Sequence, residues 1–541
     1  MAGAYAGTVS ERVYVSTDKD VYVAGDIIWC SAFCVDASSG KLSSASSVVY
    51  VELSSTAGTV ATCKIALIDG RGSGSMPIPV SAPTGNYMLL GYTSAEKGRA
   101  DLQSDSKVIS VFSTLGTDRV PGGVEVIGAD EYALLKPAPA QIQGNLQVSL
   151  EGPSGKSSVS KVRLMNRMPS AATLSLSVSC DDGIVAPSPH DISDFLKVRT
   201  DFEGEAVESE GEVFHGRLIG ETVPGSVPLQ SLTAAVAFPG LANDLYVSRF
   251  NPDGTILFKT VNVYGNRDMV CEIVGAGPGV DHRIVIESPF LEVKVTDIPT
   301  LKLSTSMEQA LIMRSKAMQF DRKADTDTLY EFMPKRESTL LSDTYCLVYH
   351  LDDYVRFATV QETLIEITPE LRVRKDSGGE PQMRMLVQDV DRQIFSSDVL
   401  TMIDGVPVND LQGLLDFDCH LLSDILIYPY TYMFGDVTYK GMVDFVTAKG
   451  DISSFKFGRN VVIVDWQGES YPVAYTCRNL DQTGEDLRGT LYWHPQIELE
   501  PGESVTIEVR TPSYPGNFNI VAEGITTDGQ PIRSGTSFGI R

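Results

Sequence analysis

Apolar runs separated by turn signals dominate the stretch from Leu400 to Gly450. Val399, Leu400, Met402 and Ile403 stop at Asp404-Gly405, a pair that favours a tight turn. Asn409 and Asp410 can cap a short helix over Leu411, Leu414 and Leu415. Leu421 to Tyr428 and Met442 to Ala448 supply two more apolar runs, the second closed by Lys449-Gly450-Asp451. The order predicted is strand, turn, short helix, strand, loop, strand. Elsewhere the period is two. Ile27 to Val35 places Trp29, Ser31, Phe33 and Val35 on one face, and Ser47 to Leu53, Leu146 to Leu150 and Leu174 to Ser179 alternate in the same way. Asn251-Pro252-Asp253-Gly254 is a strong turn, and a hairpin is predicted around Asp376 to Gly379. The clearest helix runs from Thr305 to Phe320, with a Thr305–Glu308 capping box and an apolar face of Ala310, Met313, Ala317 and Phe320.

These patterns predict a mainly β protein: tandem immunoglobulin-like β-sandwiches plus one small α/β domain. A length of 541 residues accommodates several domains of about 100–150 residues each. With 44 basic and 70 acidic side chains the net charge is −26, which disfavours nucleic acid and anionic lipid, so no nucleic-acid partner is expected. No run approaches the ~18 apolar residues of a membrane-spanning helix. The start lacks the basic segment and apolar core of a signal peptide, and a mature form with an added Met1 is the expectation. The eight cysteines are dispersed, without a Cys-x-x-Cys pair, and buried free thiols are favoured over disulfides. Cys30 and Cys34 would face one side of a strand about 13 Å apart, too far for a bridge.

The turn IDGVPV at Ile403 to Val408, the run DILIYPY at Asp424 to Tyr430, the Phe434-Gly435 step and GMVDFVTAKG at Gly441 to Gly450 resemble the plug domain of TonB-dependent outer-membrane receptors. About ninety residues follow, too few for a transporter barrel of tilted strands of about 9–11 residues each. VYVSTDKDVYVAGDIIW, VVYVEL, MPIPV and PTGNYMLLGYT, together with TLYWHP and VAEGITTDGQPI near the C-terminus, resemble macroglobulin-like domains of the alpha-2-macroglobulin superfamily. None of the cysteines lies in that superfamily's thioester run, so covalent trapping is not expected. The segment around Asn251-Pro252-Asp253-Gly254 resembles the small carboxypeptidase regulatory-like sandwiches that often precede receptor plugs. The whole order resembles uncharacterised Gram-negative envelope proteins that join macroglobulin-like domains to a plug-like domain. The expected division is a tail at 1–10, a macroglobulin-like sandwich at 11–117, a second sandwich at 118–207, a third at 208–298, a helix and linker at 299–345, the plug-like α/β domain at 346–458 and a C-terminal macroglobulin-like sandwich at 459–541.

Catalytic signals are weak. The six histidines show no HExxH spacing and no Gly-x-Ser-x-Gly occurs. Asp352 and Asp353 are adjacent, so on a strand they point to opposite faces. Asp253-Gly254 lacks the other carboxylates of a calcium loop. No catalytic residue, metal ligand or cofactor is therefore assigned, and the chain is expected not to be an enzyme. The aromatic residues Tyr428, Tyr430, Tyr432 and Phe434 are the candidate interaction surface. The expected function is that of an envelope scaffold or accessory protein, in the periplasm or at the cell surface and associated with the outer membrane without spanning it. Its partner would be an envelope or outer-membrane protein, a nutrient-uptake transporter among them. Binding of a glycan or peptide, and a structural role as an adhesin, are the alternatives.

Overall fold

Strands covered on both faces set the architecture, and Ile27–Asp36 is the example from which the rest follows. Ile28, Cys30, Ala32 and Cys34 point into one core, while Trp29, Phe33 and Val35 point into two others. The computed structural model describes residues 9–116, 123–135, 146–152, 155–185, 190–200, 202, 204–220, 229, 232–239, 244–274, 282–324, 329–335, 345–389, 392–434, 437–458, 460–477 and 484–541. Most of the predicted tail at 1–10 and the Gly435 half of the Phe434-Gly435 step lie outside them. The protein is mainly β and divides into two units, Met1–Gly211 with Phe290–Lys335 and Glu469–Arg541, and Glu212–Pro289 with Arg336–Gly468. Among the described residues no helix is long and apolar enough to cross a membrane.

The first unit holds two sandwiches. In the N-terminal one, strands Glu11–Thr17, Ile27–Asp36 and Arg71–Pro77 form one sheet, and Val21–Val23, Lys107–Phe112, Gly85–Tyr92, Val48–Ser55 and Gly58–Ala66 form the other. Val13, Val15 and Ile28 from the first sheet meet Val49, Val51, Leu89 and Ile109 from the second. Gly25 turns the chain from Val21–Val23 into Ile27–Asp36. Its φ of 92° is one that a side chain resists, and Asp26 N–H closes it onto the Val23 carbonyl at 3.0 Å.

The second sandwich changes the expected boundaries. Its larger sheet runs Tyr330–Phe332, Val473–Tyr475, Thr490–Leu499, Ala172–Asp181, Gly516–Thr526, Pro531–Ile540. Strand Ala172–Asp181 lies in the middle, with Leu176 opposite His494 on one side and Ala522 on the other. The smaller sheet likewise joins Leu146–Glu151 and Val159–Asn166 to Ser504–Arg510. Strands from 118–207 and from 459–541 thus share sheets instead of building two separate sandwiches. Alternation along Leu174, Leu176 and Val178 specifies a buried strand face but not which segment pairs with it. The polar stretch expected to be a linker within 299–345 also contributes a strand, Tyr330–Phe332, paired with Val473–Tyr475.

The two sandwiches are joined by buried polar bonds. Tyr14 and Ser16 donate to Glu523 at 2.8 and 2.9 Å, and Thr490 donates to Asp18 at 2.7 Å. Ser31 donates to the Pro495 carbonyl at 2.8 Å. Trp29 packs on Trp493 with ring centroids 5.6 Å apart, and both rings are buried in one core. Helix Glu308–Lys323 forms where predicted, but a 3-10 turn, Thr305–Met307, precedes it, and Ser304 provides the cap instead of Thr305. Ala317 and Met318 are its buried residues, while Ala310, Met313 and Phe320 are half-buried. The expected face is rotated because Arg314 and Asp321 also turn inward to meet buried charges and hydroxyls.

In the second unit, strands Thr255–Thr260, Glu212–Ile219 and Arg283–Ile286 face strands Asp244–Arg249, Thr233–Phe238, Asn266–Val274 and Val462–Gln467. Phe214, Val236, Phe258, Met269 and Trp466 fill the space between. The third sandwich therefore takes its last strand from beyond the α/β segment, from residues expected to begin the C-terminal sandwich. Val462–Gln467 is an edge strand with Ile463 exposed. The α/β segment follows the predicted order. Its mixed sheet runs Leu347–His350, Leu422–Tyr428, Gly441–Thr447, Val399–Ile403, Val406–Pro407, and helices Val360–Ile367 and Leu411–Leu415 flank it. The predicted hairpin pairs Leu371–Lys375 with Pro381–Asp389.

Candidate interaction site

The α/β segment is held together at the Asp404-Gly405 turn. Both residues adopt positive φ, 47° and 78°, as a two-residue hairpin requires. The Asp404 carboxylate accepts from Thr447 N–H at 2.8 Å and Thr447 Oγ1 at 2.7 Å, and Gly405 N–H donates to Asp444 Oδ1 at 3.0 Å. Burial raises the Asp404 carboxyl above its ordinary range against the lowering effect of the Thr447 bonds. Asp410 caps the following helix by accepting from Gly413 N–H at 2.9 Å. Asn409, expected to share that role, turns to strand Asn266–Val274 instead. Its side-chain amide donates to the Ile273 carbonyl at 2.6 Å and its backbone N–H to Glu272 Oε1 at 3.3 Å. The other Glu272 oxygen is buried without a partner among the described residues, and burial pushes this carboxyl up to about 8.

The sheet of this segment is covered on both sides, which is why its strands are nearly continuous apolar runs. Ile403, Ile425, Ile427, Val443 and Phe445 pack with Leu364, Leu414 and Leu415 of the helices. Leu400, Met402 and Met442 pack with Ala235, Ala237 and Val270 of the neighbouring sheet. The four candidate rings divide accordingly. Tyr428 and Phe434, 7% and 8% exposed, belong to this second core. Tyr432 is half-buried and meets Tyr428 edge-on, with centroids 6.2 Å apart. Tyr430 alone of the four is exposed, at 42%, so the four do not make one open surface. Its ring stands edge-on to Tyr345 at 5.9 Å, itself 58% exposed, and Met433 is 75% exposed. Neither Tyr345 nor Met433 was singled out by composition. The in-out-in alternation of Tyr432, Met433 and Phe434 carries the signal for Met433.

Ionisable groups form pairs more than sites. His350 Nδ1 lies 2.6 Å from Asp424 Oδ1, and His420 Nδ1 lies 2.9 Å from Asp418 Oδ1, with both rings exposed. Asp352 pairs with Arg356, four residues on, at 2.5 Å. Among the described residues, no group of three or more His, Cys, Asp or Glu side chains is placed to hold a metal ion. In the first unit a buried cluster lines a small cavity. Lys19 pairs with Asp26 at 3.0 Å, Arg314 with Asp182 at 2.5 Å, and Tyr475 donates to Asp321 at 2.9 Å. Burial, followed by the charge of Asp26, pushes the Asp321 carboxyl up to about 7. The Arg314–Asp182 and Asp321–Tyr475 partners are 132 and 154 residues apart in sequence, and these two pairs secure helix Glu308–Lys323.

Fold and geometry together define a multi-sheet, mainly β protein carrying an α/β segment with an exposed ring pair. No protein-family model matches the sequence, and no curated protein matches it. Among solved structures, a mutant alpha-2-macroglobulin from Salmonella aligns with 100% of this chain and 40% of its own, at 10% identity and a TM-score of 0.25. Trypsin-activated alpha-2-macroglobulin from Escherichia coli aligns with 98% of this chain and 41% of its own, at 9% identity and a TM-score of 0.24. The Escherichia coli adhesin FdeC aligns with 50% of this chain and 61% of its own, at 10% identity and a TM-score of 0.15. The chain thus spans about two fifths of the length of the macroglobulins it aligns with. Similarity at these scores assigns no activity.

Proposed function

We propose that this protein is a non-enzymatic interaction protein of a Gram-negative envelope, in which β-sandwiches act as a frame and the α/β segment docks a protein partner. The observation that carries the reading is the exposed Tyr345–Tyr430 ring pair and the exposed Met433 on a segment whose sheet is otherwise covered on both faces. Large aromatic residues and Met are the side chains that protein interfaces favour. The resemblance of Ile403 to Gly450 to receptor plugs supports an outer-membrane protein, such as a nutrient-uptake transporter, as that partner. Binding of a glycan by the Tyr428, Tyr430, Tyr432 and Phe434 quartet has less support, because two of its rings are buried.

A photo-cross-linking residue placed at Tyr430 or Met433, in cells of the native host, tests this directly. One discrete heavier species from both positions, absent when the same residue replaces the exposed Leu134 of the first unit, is the expected result. If neither position captures a protein, or Leu134 captures the same one, the docking role is lost.

A further inference from the structure

Cys30 and Cys63 come from opposite sheets of the N-terminal sandwich and both face its core. The strand between them explains how closely they approach. Cys30 is directly opposite Gly74 in strand Arg71–Pro77. A Cβ at Gly74 would lie 2.9 Å from Ile65 Cγ1, and one at Gly72 would lie 2.2 Å from the Ala66 carbonyl oxygen. Strand Gly58–Ala66 therefore closes onto the glycine positions of that sheet, at the level of Cys30. Cys63, two residues before Ile65 and on the same face, is carried in with it into the core that holds Cys30, where the neighbouring Cys63 thiol, with burial, pushes the Cys30 thiol up. Both sulfurs are fully buried among Ile28, Ala32, Val51 and Ile65.

We infer that Cys30 and Cys63 are a disulfide-forming pair that links the two sheets when the chain folds in an oxidising compartment. The oxidant is a protein or small-molecule disulfide. One cysteine thiolate attacks it, giving a mixed disulfide and one released thiol. The second cysteine thiolate then displaces the other thiol, so one S–S bond forms in the protein, one breaks in the oxidant, and the two electrons end on the released thiols. Because the sulfurs are inaccessible once the sandwich has closed, the bond forms during folding and not afterwards. Cys34 shares the strand with Cys30 but lies four residues along it, too far from Cys30 to compete for it. The inference concerns the frame and stands whether or not the α/β segment binds a partner.

The test is to refold the full chain in a buffer of reduced and oxidised glutathione, alkylate under denaturing conditions without reductant, and map the peptides. The expected result is one linked peptide pair, Cys30 to Cys63, with the other six cysteines alkylated. The link should persist in Cys34→Ser and disappear in Cys30→Ser. A bond closing a loop of about 30 residues should raise Tm by about 5–10 °C over the reduced protein. Eight alkylated cysteines after oxidative refolding, or a link from Cys63 to Cys34, would overturn the inference. The wild-type map decides the matter even if Cys30→Ser fails to fold.

Discussion

The backbone N–H of Asn409 donates to Oε1 of Glu272 at 3.3 Å, and the second oxygen of that carboxyl is buried with nothing to bond it among the described residues. Burial holds the group up at about 8, well above an ordinary glutamate. A folded-state value above the unfolded one means that the native state binds the extra proton. Its stabilisation is complete below the ordinary glutamate range and is lost as the pH rises through about 8. Within that window the slope approaches about 1.4 kcal/mol per pH unit. Glu272→Gln keeps the shape without the titration. Urea unfolding at pH 5.5, 7 and 8.5 should show a wild-type-minus-variant difference that moves in the variant's favour as pH rises. A difference independent of pH would mean that Glu272 is not protonated in the native protein.

Arg12 is fully buried and forms a two-pronged pair with Asp105, its Nε 2.9 Å from Oδ2 and its Nη2 on Oδ1. Arg99 meets the same carboxylate at 2.7 Å. Arg12→Ala removes one of two cations and leaves a cavity around the charge that remains. A loss of about 3–5 kcal/mol in denaturant unfolding is expected. Arg12→Lys should recover little of it, because an ammonium cannot reproduce the planar two-bond geometry.

Phe434 and Tyr430 separate packing from exposure. Phe434→Ala should cost about 3–5 kcal/mol, since the ring sits among Leu400, Val437 and Met442. Tyr430→Ser should stay within about 0.5 kcal/mol of the parent. Thermal unfolding of the two variants is the check, and equal losses would place Tyr430 in the core.

Residues 118–207 and residues 459–541, produced as separate fragments, should each fail to give a cooperative unfolding transition. Each would expose long strand edges and lack half of one core. Mixing them should restore dispersed amide resonances only if the remaining sandwich contacts are dispensable. A cooperative melt from either fragment alone would contradict the shared sheets.

Local chemistry made much of this fold legible. Asp404-Gly405 demanded a turn and formed one, and the hairpin predicted around Asp376 to Gly379 pairs Leu371–Lys375 with Pro381–Asp389. Pairing across the chain was not legible. Leu176 shows by alternation that one face is buried, but nothing in its surroundings names His494 or Ala522 as neighbours. Helix Glu308–Lys323 shows a second limit. Its apolar pattern suggests one face, whereas Arg314 and Asp321 find buried partners that a hydrophobic template scores as outward. The aromatic quartet fails for a related reason. Residue type marks Tyr428, Tyr430, Tyr432 and Phe434 as alike, and only strand parity and the second sheet decide which ring meets water.

The central place of Ala172–Asp181 between Thr490–Leu499 and Gly516–Thr526 sets an order of events at the ribosome. About 300 residues must be synthesised after that strand before its first neighbour exists, a delay of roughly 15–60 s at about 5–20 residues per second. During that interval Leu174, Leu176 and Val178 have no native sheet to enter. A chaperone that holds the nascent chain until its last strands arrive should therefore raise the yield of folded protein far more than one that acts after release.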